Sequence, residues 1–202
     1  MSADKETLDV YATRIDQYAA IDPSAPEAAA LERFLARLRP GAQILDIGCG
    51  PGKHARMMQQ QGFAVTARDA SPEFVELARK SGLHAEVGTF ASLTETGAFD
   101  AIWASFSLLH TPKAEHATHI AAMARALRPE GYLYLGMKLG DGEGRDAIGR
   151  FYSYVTPVEL ETMVTDRGLT PVDTYEGAGK GLAGTVDPFI LMTCRKPGQV
   201  DA

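Results

Sequence analysis

Asp46 closes an apolar run and is followed by alternating glycines: Ile44-Leu45-Asp46-Ile47-Gly48-Cys49-Gly50-Pro51-Gly52. A carboxylate at the end of a buried strand is costly unless a partner meets it. A strand that turns through glycines into a helix, here expected over 53–61, presents backbone N–H groups and a helix N-terminus to a nucleotide-like ligand. Gly48 and Gly50 let the backbone approach such a ligand without a Cβ in the way. The spacing departs from the dinucleotide fingerprint G-x-G-x-x-G, because Lys53 stands where the third glycine would fall and the additional glycine is Gly52. A second acid, Asp69, follows the next expected strand, 63–68, where a ribose-binding carboxylate is expected in such a unit. An ionised carboxylate only accepts, so Asp69 can take hydrogen bonds from both ribose hydroxyls.

Other residues with usable chemistry fall at strand ends or on one helix face. Thr89 and Phe90 follow an expected strand at 84–87, and the Phe90 ring could stack on a purine or fill the core. Ser105 ends an expected strand at 99–105, and His110 comes shortly after it. A histidine there can act as a base near neutral pH or hold a loop by bonding its backbone. Tyr11 and Tyr18 lie seven residues apart on one face of a helix expected over 5–20. Lys138, Arg145 and Arg150 flank or lie in a segment, 139–154, whose Gly140, Gly142, Gly144 and Gly149 read as a mobile loop. Arg145, Arg150, Phe151 and Tyr152 there offer planar cations and aromatic faces to a small ligand with a polar or anionic group.

The elements that must position these residues alternate. Strands are expected at 43–47, 63–68, 84–87, 99–105 and 131–137, with helices at 53–61, 72–81 and 113–128 between them. The capping box Ser24-x-x-Glu27 opens an earlier helix that ends at Pro40-Gly41, and Thr156-Pro157-Val158-Glu159 opens a later one that stops at Gly168. Strands at 170–175 and 187–195, joined by a glycine-rich link (Gly177, Gly179, Gly181, Gly184), finish the chain. Alternation of this kind implies an α/β fold with a parallel sheet, right-handed crossovers and helices on both faces.

Composition narrows the function classes. The 202 residues suffice for one domain, with N-terminal helices or a lid over 1–40 and a core over 41–196. A net charge of −6 without a run of five like charges argues against a nucleic-acid partner, whose phosphates call for a basic surface. No apolar run is long enough to span a membrane. The opening Met1-Ser2-Ala3-Asp4-Lys5-Glu6 is polar and lacks a signal-peptide core, so a cytoplasmic protein is expected. Cys49 and Cys194 lie in different elements without metal-ligand spacing, which suits a reducing compartment and implies no metal site. Monomer and homodimer both remain open.

With those residues quoted, the chain resembles the class I S-adenosylmethionine-dependent methyltransferases, of the small bacterial type that acts on small molecules, over roughly residues 8 to 196. Asp46-Ile47-Gly48-Cys49-Gly50-Pro51-Gly52 carries the resemblance together with Asp69. Phe99-Asp100-Ala101-Ile102-Trp103-Ala104 is similar to the family's fourth strand, and Leu127-Arg128-Pro129-Glu130-Gly131-Tyr132-Leu133 to its turn into the fifth, with Glu130 in place of a glycine. The resemblance implies a Rossmann-like, doubly wound, seven-stranded and mostly parallel sheet with an antiparallel last strand. It implies S-adenosyl-L-methionine as the cofactor, transfer of its methyl group to a small-molecule substrate, and a cofactor site formed by Asp46, Gly48, Cys49, Gly50, Gly52, Asp69, Ala70, Thr89, Phe90, Ser105 and Tyr18. Thr89 replaces an acid that the family often carries. His110 and Tyr11 are the catalytic candidates it implies, Tyr11 and Tyr18 also being similar to lid tyrosines, and Arg145 joins them from its place in the loop after the fifth strand. The Pro-Pro-aromatic motif of nucleobase and protein-glutamine methyltransferases is missing after the fourth strand. The alternatives are an RNA or protein methyltransferase, or a non-catalytic S-adenosylmethionine-binding regulator or partner subunit.

Overall fold

The computed structural model describes residues 3–198; Met1, Ser2 and residues 199–202, and with them the outer limits of the expected 1–202 domain, lie outside the described residues. The chain forms helices α1 (Lys5–Thr13), α2 (Ile15–Ala20) and α3 (Ala25–Leu35), then alternates β1 (Gln43–Ile47), α4 (Lys53–Gln60), β2 (Ala64–Asp69), α5 (Pro72–Lys80), β3 (His84–Val87), β4 (Phe99–Ser105), α6 (Lys113–Ala126) and β5 (Leu127–Lys138). The short strands β6 (Glu143–Arg145) and β7 (Phe151–Ser153) follow, then α7 (Pro157–Thr165), β8 (Thr170–Lys180) and β9 (Val186–Arg195). The seven-stranded sheet has the order β3-β2-β1-β4-β5-β9-β8. Its strands are parallel except β9, which runs antiparallel to β5 and β8, as the motif reading implied.

From β1 the chain winds outward to β2 and β3, then returns to place β4 on the other side of β1. That reversal leaves a crevice at the carboxyl ends of β1 and β4, where open α/β sheets take ligands. Both sheet faces are covered, so the middle of the central strands is mostly apolar on both sides. Ile44, Trp103 and Tyr134 pack with Phe34 and Met58 on one face, and Leu45, Ile102 and Leu133 pack with Ile120, Met123 and Leu160 on the other. Trp103 and Tyr134 stack at 3.5 Å, and Phe34 meets Trp103 edge-on at 5.1 Å. The Ser24–Glu27 and Thr156–Glu159 capping boxes form as their spacing predicts. No helix among the described residues is long and apolar enough to cross a membrane.

The structure departs from the sequence expectation in five places. The helix expected over 5–20 breaks at Arg14 (φ −119°, ψ 24°). In an unbroken helix seven residues climb about 10 Å, whereas the break brings the Tyr11 and Tyr18 rings to 4.9 Å. Within the 1–40 segment of N-terminal helices or lid, α3 is core rather than lid: its apolar stripe Leu31, Phe34 and Leu35 is buried. β5 starts at Leu127 rather than 131, because Leu127 already pairs with Phe99 across a register shift, and Glu130 takes the left-handed turn position (φ 68°). The glycine-rich link is mostly strand. Gly177 and Gly179 lie under the Phe189 ring of the neighbouring strand, where a Cβ would press on it at 3.0 and 3.2 Å.

The fifth departure bears on the site. Residues 139–154 are not a free loop but contain the hairpin β6–β7, and this hairpin grips α1. Asp4 caps α1 by accepting from the Thr7 N–H (2.9 Å) and also receives two nitrogens of Arg145 at 3.0 Å, which holds its carboxyl well below the usual carboxylate range. The Phe151 N–H donates to Thr7 Oγ1 at 2.8 Å. Arg150, buried, donates to the Tyr11 hydroxyl at 3.0 Å and to Asp146 Oδ2 at 2.9 and 2.7 Å. Arg150→Ala would leave the Asp146 carboxylate without its cation and remove one partner of the Tyr11 hydroxyl. It should cost about 3–5 kcal/mol in urea unfolding, the range for breaking a buried pair. Arg145→Ala, which opens only a surface pair, should cost far less. Equal losses would show that the hairpin is not held from inside.

Candidate functional site

The turn after β1 folds back over β2: the N–H groups of Gly48 and Cys49 both donate to the Arg68 carbonyl, at 2.7 and 3.1 Å. Gly48 (φ 74°) sits where a Cβ would lie 2.1 Å from Ser107 Cβ, so the loops after β1 and β4 touch only because this residue has no side chain. Ser107 Oγ donates to the Ile47 carbonyl (2.8 Å) and fixes that contact. Gly50 carries the turn past Tyr18, but Gly52 faces away, toward Leu83 and Ala78, and serves helix packing rather than the crevice.

Asp69 ends β2 in a buried position and accepts from the Gly50 N–H (2.7 Å) and the Ser71 N–H (2.8 Å). Burial pushes its carboxyl up, and those two donors oppose the shift. Each carboxylate oxygen keeps a further acceptor site for a ligand. Asp46 lies behind the turn and lines no cavity; burial, with the Asp69 charge, pushes it up to about 8, and its Oδ2 has no partner.

Gly48, Gly50, Asp69 and Ala70 open into a cleft of about 890 Å³ including its open mouth. Tyr11, Tyr18 and Phe74 roof it, their rings 4.9 to 5.7 Å apart. Thr89 and Phe90 lie toward one end, and Phe106, Ser107 and His110 also line it. Beyond Tyr18, Gly48 and Phe106 a second, smaller cavity is lined by Glu27, Cys49, Lys53, His54 and Ser105. His54 Nε2 and Ser105 Oγ are shielded there without partners, and burial keeps His54 neutral by lowering its pKa. Cys49 is buried beside it with its thiol pushed up, so it is protonated. Phe106, lining both cavities, holds a left-handed backbone (φ 50°) that is rare for an aromatic residue. Strained positions of this kind cluster at functional sites.

His110 is read by its hydrogen bonds. Its Nδ1 lies 2.6 Å from the Phe151 carbonyl, which only accepts, so the proton is on Nδ1 and Nε2 is an acceptor. The Tyr11 hydroxyl, which burial keeps protonated, donates to that Nε2 across 2.9 Å. Burial pushes His110 from its ordinary 6.5 down to about 4, so the ring is neutral. Asp146, Arg150, Tyr11 and His110 thus form one chain of contacts ending in the cleft.

Of the residues singled out from sequence, Tyr11, Tyr18, Gly48, Gly50, Asp69, Ala70, Thr89, Phe90 and His110 converge on the main cleft, and Cys49 and Ser105 on the cavity beside it. Arg145 does not line the cleft; it pairs with Asp4 at its rim and with Glu6 of α1. Sequence reasoning missed Phe74, Ser107, His54 and the grip of Arg150 on Tyr11. Only the Asp146–Arg150 spacing carried a signal for the last.

Residues 44–131 match the family model described as a methyltransferase domain. Over 103 residues the chain is 38% identical to a ubiquinone biosynthesis O-methyltransferase of Xanthomonas oryzae pv. oryzae, covering 47% of this chain and 42% of that protein. The counterpart of Xylella fastidiosa is 33% identical over 103 residues, 47% of this chain and 41% of that protein. The match spans less than half the length of these curated relatives. Among solved structures, the Burkholderia thailandensis 1,6-didemethyltoxoflavin-N1-methyltransferase, with 1,6-didemethyltoxoflavin and S-adenosylhomocysteine bound, superposes at a TM-score of 0.75 with 26% identity, over 94% of this chain and 85% of that one. An S-adenosylmethionine-dependent methyltransferase from Methanosarcina mazei, 20% identical, superposes at 0.74 over 89% of this chain and all of that one, and shows the shared fold.

A histidine neutral when folded, with a pKa lowered from 6.5 to about 4, contributes stability that is present above about pH 6.5 and is lost as the pH falls toward 4. Wild type should therefore lose more stability than His110→Asn between pH 7 and 4.5, by up to about 3 kcal/mol, in urea melts at the two pH values. The other buried histidines act equally in both proteins. Identical losses would place His110 in contact with water.

Proposed function

Because the chain belongs to the class I S-adenosylmethionine-dependent methyltransferase family, we propose that it transfers a methyl group from S-adenosylmethionine to a small-molecule acceptor by in-line displacement. The observation that carries this reading is Asp69, buried, bonded to the Gly50 N–H and facing the roofed cleft. The relatives named above include an O-methyltransferase and an N1-methyltransferase. A small acceptor is carried over from them, but the methylated atom is not.

The residues present fit the cofactor. Asp69 suits the ribose hydroxyls, and Ala70 leaves room beside it. Thr89 and Phe90 suit the purine. The unpartnered His54 and Ser105, with Lys53 and Glu27 nearby, offer the donors and acceptors that an amino-acid end needs. Asp46, behind the turn and outside the lining of both cavities, can act on a cationic ammonium only at a distance. The cofactor supplies a sulfonium-bound methyl already activated toward nucleophiles. The protein must then align the acceptor and exclude water. Tyr11, Tyr18 and Phe74 provide the roof for both tasks. Arg145 takes a clamping role on α1.

Tyr11 and His110 are the groups placed to move a proton. The Tyr11 oxygen can accept an acceptor's proton while its own passes to His110 Nε2. His110 at about 4 is a weak base, and Arg150 beside Tyr11 disfavours further positive charge. The pair therefore suits an acceptor that is acidic or already anionic, such as an enol, phenol or thiol. Two buried, unpaired cysteines support a reducing compartment, the cytoplasm.

Calorimetry should show binding of S-adenosylhomocysteine and none of NAD, and Asp69→Ala should weaken the former by ~1–3 kcal/mol in a folded protein. Binding of NAD alone would sink the reading. Release of S-adenosylhomocysteine, followed across phenol, thiol, amine and carboxylate acceptors, identifies the substrate class. With a hydroxyl acceptor, Tyr11→Phe should lower kcat about 10–100-fold while cofactor affinity holds. Unchanged kcat would remove Tyr11 from proton transfer.

A further inference from the structure

The cleft ends against α6. Thr89, Phe90, Pro112, Glu115 and His119 close it there, and the Phe90 and His119 rings lie 5.5 Å apart. Three acids line the whole cleft: Asp4, Asp69 and Glu115. Asp4 is taken up by Arg145 and Thr7, and Asp69 stands at the glycine turn. Glu115, in the first turn of α6, is the acid at this end. Its Oε2 lies 3.3 Å from His119 Nε2, while its Oε1 is shielded from solvent and has no hydrogen-bond partner. Burial lowers the His119 pKa, so that ring is neutral and donates once.

A shielded carboxylate oxygen without a donor is costly, and native structures rarely leave one so. A carboxylate only accepts, so the group that completes it must be an N–H or O–H. The torsion that carries the carboxylate is soft, which lets either oxygen turn toward the cleft. No described side chain supplies that donor, and the cleft is where a ligand can.

Resting on the reading of the cleft as an S-adenosylmethionine site, with the ribose at Asp69, the purine extends toward Thr89 and Phe90 and presents its donor edge to α6. We propose that Glu115 accepts a hydrogen bond from the purine 6-amino group, and so selects adenine over a 6-oxo purine. The carboxylate welcomes the amino hydrogens and repels a carbonyl oxygen in the same place. His119 holds the other oxygen of Glu115 and so positions it.

The test is calorimetric titration of S-adenosylhomocysteine and of S-inosylhomocysteine, its 6-oxo analogue, into wild type, Glu115→Gln and Glu115→Ala, with circular dichroism to establish folding. Wild type should prefer the adenosyl ligand by about tenfold or more, the range for a hydrogen bond to a charged group. Glu115→Gln keeps the shape, and its amide can donate to a 6-oxo group, so the preference should fall to near one or reverse. Glu115→Ala should lose about tenfold on the adenosyl ligand and little on the inosyl one. An unchanged preference in folded Glu115→Gln, with wild type binding well, overturns the role of Glu115 and leaves the methyltransferase reading standing. Wild type that binds neither ligand overturns both.

Discussion

The contact between the Gly50 N–H and the Asp69 carboxylate ties the turn after β1 to the end of β2, and the cleft takes its form from it. With the Ser71 N–H on its other oxygen, the same carboxylate sets the chain's path into α5. The turn is thus held before any ligand arrives, and little ordering is left for binding to impose. The price in electrostatics falls on Asp46. Shielded, near Asp69 and pushed up to about 8, it cannot readily carry a second negative charge beside the first. A positive charge at this corner would meet one carboxylate charge and draw out another, so the two acids together favour a positively charged guest.

Above this floor, α1 and the β6–β7 hairpin behave as two leaves of one cover. The contacts between them run through Asp4 with Arg145, Thr7 with Phe151, and Tyr11 with Arg150. The most buried ion pair here, Arg150 with Asp146, lies within the hairpin. The leaves can therefore separate without leaving Arg150 unpaired, and the seam between them falls on contacts that water can replace.

The sheet was readable because parallel strands covered on both faces leave apolar runs, and because caps such as Ser71-Pro72 mark where helices begin. Gly48, Gly50 and Asp69 were readable as one turn-and-strand-end unit because their spacing is local. What escaped depended on distant neighbours. β8 continues through Gly177 and Gly179 because the Phe189 ring of another strand fills the space above them. Arg145 reads as a loop cation until Asp4, 141 residues earlier in the chain, is seen against it. The hairpin has no apolar periodicity of its own, since its partner is a helix edge. Glu115 carries no pattern at all; only its unpartnered oxygen marks it.

The stack of Trp103 on Tyr134 gives the protein an optical property. Trp103 is the single tryptophan of the chain, fully buried at the middle of the sheet, with the His54 ring 5.3 Å away. Tryptophan emission therefore comes from one indole in a buried, ring-lined site. Its environment changes wholly when the sheet opens. Through His54, which borders the smaller cavity, it also touches the place where the amino-acid end of a ligand would rest. The fold thus carries a native fluorophore that can report both on the integrity of its centre and on events at one edge of its site.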